Sequence, residues 1–131
     1  MYSGIRPQHT RAVKGFAGEK LALRFFASAG IKAKRAYKRK FGDLILGTGV
    51  KIEVKTATLN KENRYAATLY KNREGKIEQN YKHADIVLMI CVDNSGKAVL
   101  YLIPVSVLGD RSTLKIPRSH NTKFRPYRIG A

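Results

Sequence analysis

Cysteine is nearly missing from this 131-residue chain. Cys91 stands alone, which excludes an internal disulfide and any multi-cysteine zinc site. Acidic residues are scarce as well: 9 Asp and Glu stand against 26 Lys and Arg, a formal charge of +17. Long apolar runs are lacking. The longest, Ile86 to Val92, falls far short of the roughly 20 residues of a membrane-spanning helix. No apolar stretch follows the start Met1-Tyr2-Ser3-Gly4, so no secretory leader is expected. What is present is an ordinary globular mixture, 44% hydrophobic and 27% charged. The expectation is one soluble, cytoplasmic domain over residues 1–131, with a core at about 10–109 and a basic tail at 110–131.

The excess of positive charge names a class of partner. Lys and Arg that neutralise phosphates release condensed counterions, which makes nucleic acid the natural polyanion. An anionic membrane surface would call for a basic amphipathic helix, and none stands clear of the core pattern, so no membrane partner is expected.

Thr10 is a suitable N-cap for a helix from about Arg11 to Ala29, stopped by Gly30. Val13, Ala17, Leu21 and Phe25 repeat at i+4, and Phe16, Leu23 and Phe26 widen that stripe. Ile31 to Tyr37 reads as a short basic strand. Phe41 to Leu46 and Val50 to Ala57 read as a hairpin around Gly47-Thr48-Gly49. Arg64 to Tyr70 is a strand or an extended loop, and Asn72 to Lys76 is turn-like. Ala84 to Val92 reads as a strand buried on both faces. Asn94-Ser95-Gly96 turns it into Ala98 to Ile103, and Pro104 opens a short helix that Gly109 ends. A short strand is expected around Leu114 to Ile116 within the basic tail.

Three acids stand in awkward places. With the loop centred on Thr48, Leu46 faces Val50, Leu44 faces Ile52 and Asp43 faces Glu53. Two carboxylates so placed repel each other unless a proton or cation sits between them. A hard divalent cation such as Mg2+ suits two oxygen ligands. Strand alternation sends Val50, Ile52 and Val54 toward a core and Lys51, Glu53 and Lys55 to the other face, so Lys55 lies beside Glu53. Glu19 interrupts the apolar row between Phe16 and Leu23; it either adds a third oxygen to the same metal or reaches out to solvent. Paired carboxylates, a lysine and a basic surface suit metal-dependent phosphodiester hydrolysis.

The pattern Gly42-Asp43-Leu44, then Ile52-Glu53-Val54-Lys55-Thr56-Ala57, with Gly18-Glu19 on the preceding helix, resembles the PD-(D/E)XK nuclease superfamily. Tyr81 through Ala84-Asp85-Ile86 to Tyr101-Leu102-Ile103-Pro104 is similar to its small members related to group I intron homing endonucleases. Archaeal-type Holliday junction resolvases share the Glu, Asp, Glu-X-Lys order. The resemblance spans roughly residues 14 to 108, and Gly42 replaces the usual proline. It implies an α/β, restriction-endonuclease-like mixed sheet flanked by helices. It also implies DNA cleavage with Mg2+ (Mn2+ as a substitute), Asp43 and Glu53 as ligands assisted by Glu19, and Lys55 as the catalytic lysine.

Further residues suit contact with DNA. Lys34, Arg35, Lys38, Arg39 and Lys40 lead into Asp43 with no acid among them, and serve either to grip the backbone or to protect a sheet edge. Tyr37 among them would stack on a base or enter the core. Arg118, Lys123, Arg125 and Arg128 suggest a second phosphate-tracking segment with Phe124 and Tyr127 interleaved. His9, His83 and His120 are scattered and carry no site, Cys91 reads as a buried small hydrophobe, and Asp85 reads as a local backbone cap. Gln79, Tyr81 and Lys82 fall where such folds add active-site groups. The functional expectation is a Mg2+-dependent DNA endonuclease, homing-type or phage-like, acting on duplex or branched DNA. One site cuts one strand, so a homodimer or higher homo-oligomer is expected. A junction resolvase of the same fold and a non-catalytic nucleic-acid-binding module are the alternatives.

Overall fold

The i+4 apolar stripe folds as α1, Arg11–Ser28, within a computed structural model that describes residues 11–36, 43–73, 76–79 and 84–129, and the side chains of 17–36, 43–69 and 84–129. The helix ends as its sequence dictates. Gly30 takes φ +74°, its N–H bonds to Ala27 O at 3.0 Å, and the Ile31 N–H reaches Phe26 O at 2.8 Å. This paired closure satisfies carbonyls that the helix leaves over, and it needs a residue at ease in the left-handed region.

The strands follow as β1 (Ala33–Arg35), β2 (Leu44–Leu46), β3 (Lys51–Thr58), β4 (Arg64–Thr68), β5 (Tyr70–Arg73) and β6 (Lys76–Gln79). Then come β7 (Ile86–Val92), β8 (Ala98–Pro104), helix α2 (Val105–Leu108), β9 (Thr113–Pro117), a 3-10 turn at Arg125–Tyr127 and β10 (Arg128–Ile129). The main sheet runs β1-β2-β3-β7-β8-β10. Its neighbours are antiparallel except β3 and β7, which run parallel from Ile52↔Ile86 to Thr58↔Val92. β4 pairs with β9 and β5 with β6, each as a separate two-stranded sheet. The mixed α/β class therefore stands as expected.

Two cores lie on the two faces of the main sheet. On one, Leu21, Ala22 and Phe26 of α1 pack on Leu44, Ile52, Leu88, Ile90, Val92 and Leu100. On the other, Ala57, Val87, Met89, Cys91, Tyr101 and Ile103 are covered by Tyr65 and Ala67 of β4, Leu114 and Ile116 of β9, and Phe124. Strand alternation sorts β3 and β7 between the two. α1 comes so close to β3 that a Cβ at Gly18 would collide with Thr56 Oγ1. That hydroxyl is buried with no hydrogen-bond partner among the described residues.

Three expectations change. Asn72 and Lys76 are not a turn: they pair with Ile77 and Arg73, and only residues 74 and 75 lie between the strands. The strand expected to Tyr37 is described only as Ala33–Arg35. The segment from 110 to 129 is no projecting arm, because β9 and Phe124 close one of the two cores and β10 extends the main sheet. Its apolar residues, sparse among the cations, find partners far back in the chain.

Candidate active site

The tight loop sets the position of the acids. Leu46 N–H bonds to Val50 O and Gly49 N–H to Leu46 O, both at 2.9 Å. Gly49 sits at φ +91°, where a side chain is strained. A bond from Gly47 N–H to Lys32 O at 2.7 Å ties the loop to the start of β1. The resulting register is Leu44↔Ile52, as the loop arithmetic required.

Beyond Leu44 the ladder changes hands. Asp43 donates its N–H to Ile52 O at 2.9 Å, and its Oδ2 accepts the Val54 N–H at 2.8 Å. Ile52 and Val54 present their main-chain groups to the same edge of β3, so Asp43 spans the residue between them, which is Glu53. The carboxylate thus completes a backbone ladder and is pinned beside Glu53. An ionised carboxylate has about four acceptor positions, so this one bond leaves capacity for a cation.

Glu53 and Lys55 share a face of β3, and Lys55 Nζ stands 3.8 Å from Glu53 Oε1. The side chains are only 18% (Lys55) and 12% (Glu53) exposed, so water screens the pair poorly. They pair with Val87 and Met89 of β7, on the face where Ala57 is covered by β4 and β9. Asp43 and Glu53 offer only hard oxygen donors, which fits Mg2+, an ion held by one or two carboxylates plus water and phosphate oxygens.

Glu19 lies one residue beyond the Gly18–Thr56 contact, half-buried on α1, which packs on the other face. Among the described residues no three His, Cys, Asp or Glu side chains form a group able to hold a metal ion. Glu19 is therefore not gathered into one cluster with Asp43 and Glu53.

Lys34 and Arg35 are exposed on β1, and Ala36 N–H bonds to Asp43 O at 3.0 Å, so this strand runs into the site. Tyr37, Lys38, Arg39, Lys40 and Gly42 lie outside the described residues, as do His9, Thr10, Tyr81, Lys82 and His83. Arg118, Lys123 and Arg125 are exposed, but Arg128 is half-buried on β10, with two strands between it and β3. Phe124, interleaved among these cations in sequence, is turned into the core. It is 4% exposed, with the Arg111 and Lys123 cations 5.4 and 5.5 Å from its ring centre.

Asp85 is a cap, though not a local one. Its Oδ2 accepts Lys51 N–H at 2.9 Å, and its own N–H bonds to Lys51 O at 2.9 Å, stapling the starts of β3 and β7. Cys91 is buried, and desolvation pushes its thiol up to about 12.

His120 is the residue that sequence reasoning missed. Its Nδ1 lies 2.7 Å from the Tyr101 hydroxyl, and its ring stacks on Tyr65 and Tyr101 at 5.5 and 5.8 Å. Burial, then the Arg128 charge, holds the imidazole below its ordinary value. Burial, then the Cys91 charge, raises Tyr101 to about 12. A protonated phenol beside a neutral ring fits an O–H donated by Tyr101 into Nδ1. Only the positive φ of His120, 59°, marks the position as special, and that is invisible in sequence.

No protein-family model matches the sequence, and no curated protein matches it. Among the described residues no helix is long and apolar enough to cross a membrane. Among solved structures, a bacterial homing endonuclease, I-Ssp6803I, is similar with a TM-score of 0.72, covering 92% of this chain and 89% of that one. Sequence identity is 16%, so the likeness is one of architecture: this chain has the fold of a homing endonuclease.

Proposed function

We propose that this chain is a DNA endonuclease of the PD-(D/E)XK type, homing-type in character, that hydrolyses phosphodiester bonds with Mg2+. The observation that carries the reading is the Asp43 carboxylate pinned on Val54 N–H beside Glu53, with Lys55 on the same face as Glu53. The shared fold with a homing endonuclease supports it, as does the charge of +17 toward a polyanion.

Asp43 and Glu53 would hold the cation; Glu19, on the helix that covers the other face, would not join them. When bound, Mg2+ supplies Lewis acidity toward phosphoryl oxygens and a lower pKa for the attacking water. The chain's own residues do the rest. The Val54 N–H fixes the Asp43 carboxylate, so little reorganisation is needed at the moment of reaction. Glu53 holds the Lys55 ammonium close, where it stabilises charge growing on the phosphoryl oxygens or orients the nucleophile. Lys34 and Arg35 on β1, and Arg118, Lys123 and Arg125, would position DNA through phosphates without reading sequence. One such site cuts one strand, so a double-strand break calls for a homodimer or larger assembly.

The test is cleavage of labelled duplex and four-way-junction DNA by purified protein, with Mg2+ or EDTA, beside Glu53→Ala. Cutting that needs both Mg2+ and Glu53 supports the nuclease, and Mn2+ should substitute. Preference for the four-way junction would move the assignment to a junction resolvase. Tight binding with steep salt dependence and no cut on any substrate would make it a binding module.

A further inference from the structure

The sheet formed by β4 and β9 has two unlike faces. Tyr65, Ala67, Leu114 and Ile116 point into the core that covers Ala57 of β3. The alternate residues point away: Arg64, Ala66 and Thr68 on β4, and Thr113, Lys115 and Pro117 on β9. Their register is Arg64↔Pro117, Ala66↔Lys115 and Thr68↔Thr113. This outer face combines two cations, two hydroxyls and small side chains, with no acid. Arg64 meets Glu62 at 3.7 Å, but both side chains are at least half exposed, and such a pair yields readily to a competing anion.

The location matters as much as the composition. Ala57 shares strand parity with Glu53 and Lys55, so this ribbon stands on the same side of the main sheet as the proposed site. Packed sheets lie about 10 Å apart. A ligand approaching Glu53 and Lys55 from that side meets the ribbon beside them. The exposed cations of α1, Lys20 and Arg24, belong to the opposite face.

We infer that the outward face of the β4–β9 ribbon, with Arg64, Thr68, Thr113 and Lys115, is a docking surface for the phosphate backbone of a nucleic-acid duplex. The occupant is set by chemistry: guanidinium, ammonium and hydroxyl groups are the usual side-chain partners of phosphate oxygens. Small residues between them let a backbone come close. The inference rests on the nuclease reading and adds to it a surface distinct from the basic strand β1.

Salt titration of duplex binding tests it, in a Glu53→Ala background so that no substrate is cut. The slope of log K against log salt reports the phosphates neutralised, about 0.9 for each contact. Arg64→Ala with Lys115→Ala should flatten the slope by about 1.8 if each cation neutralises one phosphate. Lys20→Ala with Arg24→Ala removes the same charge from the other face and should leave the slope as it was. All four side chains are exposed, so both doubles should keep their thermal midpoints. Equal flattening by the two doubles, or none from the ribbon double, overturns the docking surface while leaving the nuclease intact. No affinity for duplex in any of the proteins overturns both.

Discussion

On the α1 face of the main sheet, Ile52 and Val54 of β3 and Leu88, Ile90 and Val92 of β7 meet a helix that supplies Leu21, Ala22 and Phe26. On the opposite face the same two strands present Glu53, Lys55 and Ala57 beside Val87, Met89 and Cys91. Apolar packing dominates the first face. The second is half core and half charge. Ala57 is buried beneath β4 and β9, while Glu53 and Lys55, earlier on the same strand, keep some contact with water. A strand can thus carry charge on a face that is elsewhere apolar, provided its cover stops short of the charged residues. It also explains why Asp43 serves better at the end of β2 than within it: there its carboxylate replaces a missing ladder partner.

The largest effect should separate two lysines of one strand and one face. Lys55→Ala should lower the rate of DNA cleavage by about 100- to 1000-fold, the usual cost of one group that stabilises transition-state charge. Lys51→Ala should change it only a few-fold. Single-turnover rates for both, measured with unchanged thermal midpoints, check this. Equal losses would show that the contact of Lys55 with Glu53 does not set it apart from Lys51.

On the helix face the expected effects are on stability alone. Leu88→Ala should cost about 2–5 kcal/mol in denaturant unfolding, as for other large-to-small changes in packed cores. Gly18→Ala should cost about 1–3 kcal/mol, because the new methyl meets Thr56 Oγ1. Adding Thr56→Ala should recover much of that loss, since the nearest remaining atoms, Thr56 Cβ and Ile90 Cδ1, lie at 3.4 and 3.6 Å. Additive losses in the double variant would mean that the contact is not what sets the helix height.

The smallest effect concerns pH, and it belongs to the ribbon face. His120 is held below its ordinary value of 6.5 by burial and by Arg128. The unfolded chain therefore binds the proton more readily, and stability present above about pH 6.5 is lost as pH falls through the folded value. His120→Gln should flatten the decline in thermal midpoint between about pH 7 and pH 5. In the alkaline range Cys91 and Tyr101, both raised to about 12, keep their protons longer in the folded state. Stability should then fall as pH climbs from about 9 toward 12.

Features held by neighbours in sequence were legible. The helix and its Gly30 stop, the hairpin register and the parity of Glu53 and Lys55 all follow from local spacing. What escaped was held by distant partners. The short strand at Leu114 and Ile116 was legible, but not its pairing with β4, and Asp85 looks like a local cap until Lys51 meets it from 34 residues away. Phe124 and Tyr127 read as interleaved in a phosphate-tracking segment; in fact Phe124 lies within a core and Tyr127 packs against it. Glu19 shows the limit from the other side. Its place in the apolar row was plain, but periodicity along a helix does not say which face of a sheet the helix will cover.

The pairings also impose an order of assembly. β1 with β2, β2 with β3 and β7 with β8 join strands close by in sequence, whereas β3 waits for β7 and β4 waits for β9. Contacts between distant residues form slowly, because the loop between them must first be closed. A chain emerging from the ribosome can therefore shape the Asp43–Glu53 hairpin long before Thr113–Pro117 exists to cover the other core. Until then Met89, Cys91 and Tyr101 stand open to water. The late segment, in sequence mostly a string of cations, supplies Leu114, Ile116 and Phe124 to close that core. Apolar surface left exposed during folding is what makes a chain prone to aggregate.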